Sequence, residues 1–152
     1  WKPKLWPVNN FNRVIKIINK EFTNVKFIIS GSVNEKEYYY ENVIKDINKE
    51  LILDLMGKSL TLTSAFMKKC NLFIGNDSGL MHLSAASNLK TIGLFGPTND
   101  KIYAPKGKNC FVIRTKESYE YFVKNIGDSK KSCMKSIEVE EVINLIKINK
   151  LL

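Results

Sequence analysis

Leu72-Phe73-Ile74-Gly75-Asn76-Asp77-Ser78-Gly79-Leu80-Met81-His82-Leu83-Ser84-Ala85-Ala86 passes from an apolar strand through a short polar turn into a helical pattern. The first amides of such a helix have no partner within it, and the positive end of the helix dipole lies behind them. The turn is therefore suited to an anion such as a diphosphate. Asp77 or Ser78 can cap the helix, Gly79 lets a ligand approach the backbone, and His82 follows Ser78 at the i,i+4 spacing that shares one helix face. An ordinary capped turn uses the same residue types, with His82 as a half-buried imidazole, so the turn alone leaves both readings open.

The segments around the turn set the fold class. Lys90 to Phe95 reads as a further apolar strand, and Gly96-Pro97-Thr98-Asn99-Asp100 as a second polar loop at its carboxyl end. Ligands of open α/β sheets bind beyond the carboxyl ends of strands, where strand order reverses. Periodicity predicts helices over Asn10 to Glu21, Glu35 to Glu50, Leu62 to Cys70 and Val139 to Ile148. It predicts further strands over Val25 to Ile29, Leu51 to Leu55 and Cys110 to Arg114, while Lys116 to Ser132 carries the weakest pattern. In the third helix Leu62, Phe66, Met67 and Cys70 are expected to face inward. Strands alternating with helices imply an α/β fold with a parallel sheet and right-handed crossovers.

At 152 residues, 44% hydrophobic and 26% charged, the chain suits one packed domain. No apolar run reaches the ~20 residues of a membrane-spanning helix. The net charge of +9 comes from dispersed lysines, with no basic stretch interleaved with aromatics, so no nucleic-acid partner is expected. Three cysteines, Cys70, Cys110 and Cys133, form no C-x-x-C pair, and with one histidine the chain predicts neither disulfide framework nor metal site. Such cysteine usage suits a reducing cytoplasm. Gly57-Lys58-Ser59 lacks the upstream glycine of a phosphate-binding P-loop, because that position is Ile52. A Ser-His-Asp hydrolase is set aside as well, since adjacent Asp77 and Ser78 cannot flank one imidazole.

Asn76 to Ala86 followed by Leu94-Phe95-Gly96-Pro97-Thr98-Asn99-Asp100 resembles the donor-site signature of the heptosyltransferases, glycosyltransferase family 9. Further pieces agree in order: Lys4-Leu5-Trp6-Pro7, Ile29-Ser30-Gly31 with Glu35 after it, Asp54-Leu55-Met56-Gly57-Lys58, and Cys133-Met134-Lys135-Ser136-Ile137. The resemblance implies a Rossmann-like parallel sheet flanked by helices, the C-terminal, nucleotide-sugar half of a GT-B fold, over residues 1–152. The chain opens on Trp1, and an N-terminal acceptor domain is expected to lie outside it.

The resemblance also implies the chemistry. The donor is a nucleotide-diphosphate sugar such as ADP-heptose, bound as substrate with no separate cofactor. The acceptor is the lipopolysaccharide inner core, reached through the absent domain. Lys4 neutralises donor phosphate, Glu35 accepts from ribose hydroxyls, and Leu55, Met56 and Gly57 border the base. Asp77 binds sugar hydroxyls, Ser78 and Gly79 hold the diphosphate by backbone N–H, and Thr98 and Asn99 line the second loop. His82 is the catalytic candidate, supporting charge on the leaving nucleotide. Each residue also has a plainer role, Lys4 as a surface lysine and Glu35 as a helix-terminal carboxylate. Heptosyltransferases resemble inverting enzymes with the catalytic carboxylate on the N-terminal domain, so this chain alone is expected to bind donor and to be inactive. A cytoplasmic location is expected, with peripheral association at the inner face of the inner membrane. The alternative is a non-catalytic Rossmann-like nucleotide-binding or protein-partner module.

Overall fold

A computed structural model describes residues 1–126 and 130–152. The chain divides into two compact units, one of Val8–Phe66 and one of Trp1–Pro7 with Met67–Leu152.

In the Val8–Phe66 unit, α1 (Val8–Glu21) buries Val14, Ile15 and Ile18, the apolar stripe of a helix with polar residues on its other faces. β1 (Phe27–Gly31) pairs in parallel with β2 (Ile52–Met56), in a register that sets Phe27 opposite Ile52 and Gly31 opposite Met56. Ile15, Val43 and Ile44 form the buried centre, with Phe11, Phe27, Ile29 and Tyr39 packed around them.

The connection between these strands is not the continuous helix over Glu35 to Glu50 that periodicity predicts. A single turn at Val33–Glu35 leads into α2 (Lys36–Tyr39), which widens into a π turn over Tyr40–Ile44. The wide turn brings the adjacent residues Val43 and Ile44 both into the core. The Asn48 side chain then accepts the Glu50 N–H at 3.0 Å, opening a separate 3-10 turn at Lys49–Leu51. A short polar side chain bonding its own backbone offers an alternative to helix continuation, and here it prevails.

β1 also begins and ends two residues later than the apolar run, because Asn24 takes a positive φ of 57° and the pairing with β2 carries the strand on through Ser30 and Gly31. α3 (Leu60–Met67) starts earlier and stops earlier than predicted, with the Ser59 hydroxyl accepting the Leu62 N–H at 3.3 Å. Leu62 is consequently exposed and Thr63 buried, and Cys70 lies beyond the helix, half-buried, on a turn closed to the Met67 carbonyl.

The other unit holds a three-stranded parallel sheet in the order β3 (Leu72–Asn76), β4 (Lys90–Phe95), β5 (Cys110–Arg114). Central β4 is buried from Thr91 through Phe95. α4 (Gly79–Ala86) joins β3 to β4 and packs on both. Its Ser84 hydroxyl lies 2.9 Å from that of Thr91, and each is also within hydrogen-bond distance of a carbonyl, Met81 for Ser84 and Leu89 for Thr91, so one hydroxyl donates to the other, which donates to its carbonyl, and this buried polar pair is satisfied. α5 (Asp100–Tyr103) precedes β5, and α6 (Tyr119–Asn125) follows it, begun by Ser118 within the stretch where the sequence pattern is weakest.

α7 (Val139–Ile148) matches its predicted bounds and buries Val139, Val142, Ile143 and Ile146. Glu141 reaches back to the Glu138 N–H at 2.8 Å, half of a capping box. Trp6 ties the amino-terminal segment in: it is 2% exposed, its indole donates to the Ile137 carbonyl at 3.0 Å, and its backbone N–H donates to Asn76 Oδ1 at 2.9 Å. Each strand pair in both units is parallel and helices connect the strands, so the chain has the α/β, Rossmann-like architecture expected of it. No helix among the described residues is long and apolar enough to cross a membrane.

Candidate functional site

β3 ends at Asn76, and the Asp77 N–H donates to the Leu94 carbonyl at 3.2 Å, carrying the ladder one residue further. Ser78 is extended, with φ −157° and ψ 168°, and its carbonyl accepts the Met81 and His82 amides. Its hydroxyl makes no capping bond. Among the described residues the Gly79 and Leu80 amides therefore have no acceptor, and they form the open end of α4. A methyl group built on Gly79 meets no atom within 4 Å, and Gly79 is not among the glycines with positive φ. Neither packing nor backbone conformation calls for glycine here. His82, one turn on, is exposed rather than turned into the core.

Lys4 sits on the same turn. Its 3-10 segment Lys2–Lys4 is held by Cys133, whose N–H donates to the Pro3 carbonyl at 2.9 Å. The Lys4 ammonium lies 3.7 Å from Asp77 Oδ2, with the Asp77 side chain 10% exposed and that of Lys4 28%. Two residues with separate expected roles toward a donor thus form an ion pair with each other.

The second loop is organised by a residue the sequence reading did not single out. Arg114, the last residue of β5, donates to the Gly96 carbonyl at 2.6 Å, to the Thr98 carbonyl at 3.1 Å, and to the Asp100 carboxylate. An arginine closing an otherwise apolar strand was the available signal. The Thr98 hydroxyl is buried without a partner among the described residues, a condition that costs free energy unless a ligand or water satisfies it. The Asn99 side chain accepts the Lys101 N–H at 3.0 Å and so starts α5, a structural role.

In the Val8–Phe66 unit, Gly31, Glu35, Met56 and Gly57 cluster at the carboxyl ends of β1 and β2. Glu35 accepts the Ser32 N–H at 3.3 Å, acting as the terminal carboxylate of its turn. Met56 is buried, and its methyl lies 3.0 Å from where a Gly31 Cβ would stand. Gly57 is required by the backbone: its φ is +73°, and a Cβ would fall 2.8 Å from that of Val33.

Asp54, one of the motif residues, organises this end of β2. It accepts the Met56 N–H at 2.8 Å, the Tyr40 hydroxyl at 3.0 Å and the Lys36 ammonium at 2.7 Å. Burial alone pushes its carboxyl up, but the Lys36, Met56 and Tyr40 hydrogen bonds outweigh this and hold it below the usual carboxylate value. The hydrogen bond to Asp54 in turn raises Lys36. Burial, with Glu35 and Tyr38 adding to it, pushes the Tyr39 hydroxyl up to about 12.

Comparison with known proteins follows the same line. The sequence profile of glycosyltransferase family 9 (heptosyltransferase) matches residues 1–132. Lipopolysaccharide heptosyltransferase 1 of Campylobacter coli is 29% identical over 150 residues, 95% of this chain and 42% of that protein. The crystal structure of the glycosyl transferase family 9 protein from Veillonella parvula superposes with a TM-score of 0.81 at 28% identity, over 96% of this chain and 42% of that one. E. coli heptosyltransferase WaaC, in a structure with ADP, shares the fold with a TM-score of 0.78 at 18% identity, over 98% of this chain and 41% of its own. The chain spans less than half the length of these relatives.

Proposed function

This chain belongs to glycosyltransferase family 9, the heptosyltransferases, and from that membership we propose that it is the donor-binding part of a glycosyltransferase, taking a nucleotide-diphosphate sugar such as ADP-heptose for transfer to a lipopolysaccharide core acceptor. The observation that carries this reading is the open end of α4, where, among the described residues, the Gly79 and Leu80 amides lack acceptors and space stands clear above Gly79. A diphosphate there accepts those N–H groups and draws on the helix dipole and Lys4. Asp77 takes hydroxyls of the sugar, Thr98 lines the second loop with a buried hydroxyl that has no partner among the described residues, and His82 donates to the oxygen on which charge develops as the bond to the sugar breaks.

Residues 1–152 form the nucleotide-sugar domain in this reading, and the base that activates the acceptor hydroxyl resides in a separate acceptor domain. The chain by itself binds donor and transfers nothing. It works in the cytoplasm, at the inner face of the inner membrane, where such an acceptor is reached.

Calorimetric titration with ADP-heptose, ADP and a UDP-sugar tests the assignment. Micromolar binding of ADP-heptose, lost in Asp77→Ala and in His82→Ala, is the expected outcome. Binding of no nucleotide would leave a non-catalytic partner module instead, and sugar transfer by the isolated 152-residue chain would refute the division of labour.

A further inference from the structure

We propose that Asp77 is what lets this turn distinguish a sugar nucleotide from the bare nucleoside diphosphate left after transfer, by exchanging the Lys4 ammonium between its own carboxylate and the phosphate. The inference rests on the donor-site reading above. In the structure Lys4 stands 3.7 Å from Asp77 Oδ2, within ion-pair range yet longer than a hydrogen bond, so the contact is electrostatic and exchangeable. The Lys4 side chain is more exposed than that of Asp77 and lies at the end of a short 3-10 turn, so the lysine is the partner free to swing. Asp77 is not: its backbone is held in the ladder by the Leu94 carbonyl, and its carboxylate is nearly enclosed.

A phosphate arriving over Gly79 competes with Asp77 for the Lys4 ammonium. If the ligand is a nucleoside diphosphate alone, the transfer of Lys4 leaves an enclosed carboxylate without its cation and beside a new anion, which is unfavourable on both counts. A sugar attached to the diphosphate changes the balance, because its hydroxyls donate to the carboxylate that Lys4 has left. The donor therefore holds the exchanged state. Once the sugar departs, Asp77 loses those donors, recaptures Lys4 and weakens the grip on the diphosphate. The same carboxylate thus favours substrate and expels product.

The test is a set of affinities for ADP and ADP-heptose in the protein, in Asp77→Asn, in Lys4→Met and in the double variant. Asp77→Asn is expected to bind ADP about three- to tenfold more tightly and ADP-heptose about tenfold more weakly, the sizes set by one partly screened charge and by lost charge-assisted hydrogen bonds. The gain for ADP is expected to be larger with Lys4 present than in the Lys4→Met background, because only exchange adds the cost of surrendering the lysine. An equal gain in both backgrounds reduces the effect to simple repulsion and overturns the exchange. So does an Asp77→Asn protein that weakens ADP and ADP-heptose alike. Asp77→Ser carries the same comparison should the asparagine variant fail to fold. Failure of the parent protein to bind either nucleotide would overturn the donor-site reading itself, and the exchange with it.

Discussion

Replacing Gly79 by alanine separates the demands of the fold from those of the ligand. Gly79 is the first residue of α4, it lies outside the positive-φ region, and its added methyl would meet nothing within 4 Å. Alanine there restricts the unfolded chain without straining the folded one, a gain of about 0.4–1 kcal/mol, or ~1–4 °C in melting temperature for a chain of this size. The same methyl occupies the space in which a phosphate oxygen must come within about 2.9 Å of an amide. Two hydrogen bonds to a charged group, each worth about 1.5–3 kcal/mol, are then lengthened or lost, so ADP affinity should fall by tenfold or more. Differential scanning calorimetry and titration calorimetry on one preparation read both effects. A protein that melts no lower and binds ADP as tightly as its parent would show that no anion sits over Gly79. A melting temperature that falls would show that the space is not open.

Gly57→Ala should behave in the opposite way, losing stability by at least ~1–2 kcal/mol because φ of +73° disfavours a side chain and Val33 blocks its Cβ, as urea unfolding will report. Arg114→Met removes the donor shared by Gly96, Thr98 and Asp100, and amide hydrogen exchange over residues 96–100 should accelerate while β4 stays protected. Asp54 has a folded pKa below its unfolded value of 3.8, so its contribution to stability is fully present above that value and lost as pH falls through the folded one. The stability difference between the protein and Asp54→Asn, followed by urea unfolding from neutral pH to pH ~2, should therefore shrink in the acid limb. A difference that stays constant would mean that the Lys36, Tyr40 and Met56 contacts leave Asp54 unshifted.

Much of the architecture was legible in the residue pattern because the elements concerned carry unambiguous local signals. β3, β4, β5 and α7 are apolar runs or stripes bounded by turn residues, and they fold where periodicity places them. The stretch from Glu35 to Glu50 was not legible in this way. Its charges and aromatics fit a helical period, but an Asn48 cap and the requirement to bury two adjacent residues, Val43 and Ile44, break the helix into turns. α3 shifted for a related reason: a capping hydroxyl at Ser59 outweighed an apolar stripe that the sequence alone makes look decisive.

The order of residues by itself determined that Asp77, Ser78, Gly79 and His82 stand together where a strand becomes a helix, since consecutive residues on a turn need no distant partner to be neighbours. It could not determine what lies across from them. Lys4 is separated from Asp77 by about half the chain, and Arg114 from the loop at Gly96 by an entire helix and strand. Only the packing of β3, β4 and β5, with the buried Trp6 anchoring the amino-terminal segment, brings these cations to carboxylates and carbonyls. Ion pairs and orphaned hydroxyls depend on distance and enclosure, and those are properties of the folded chain.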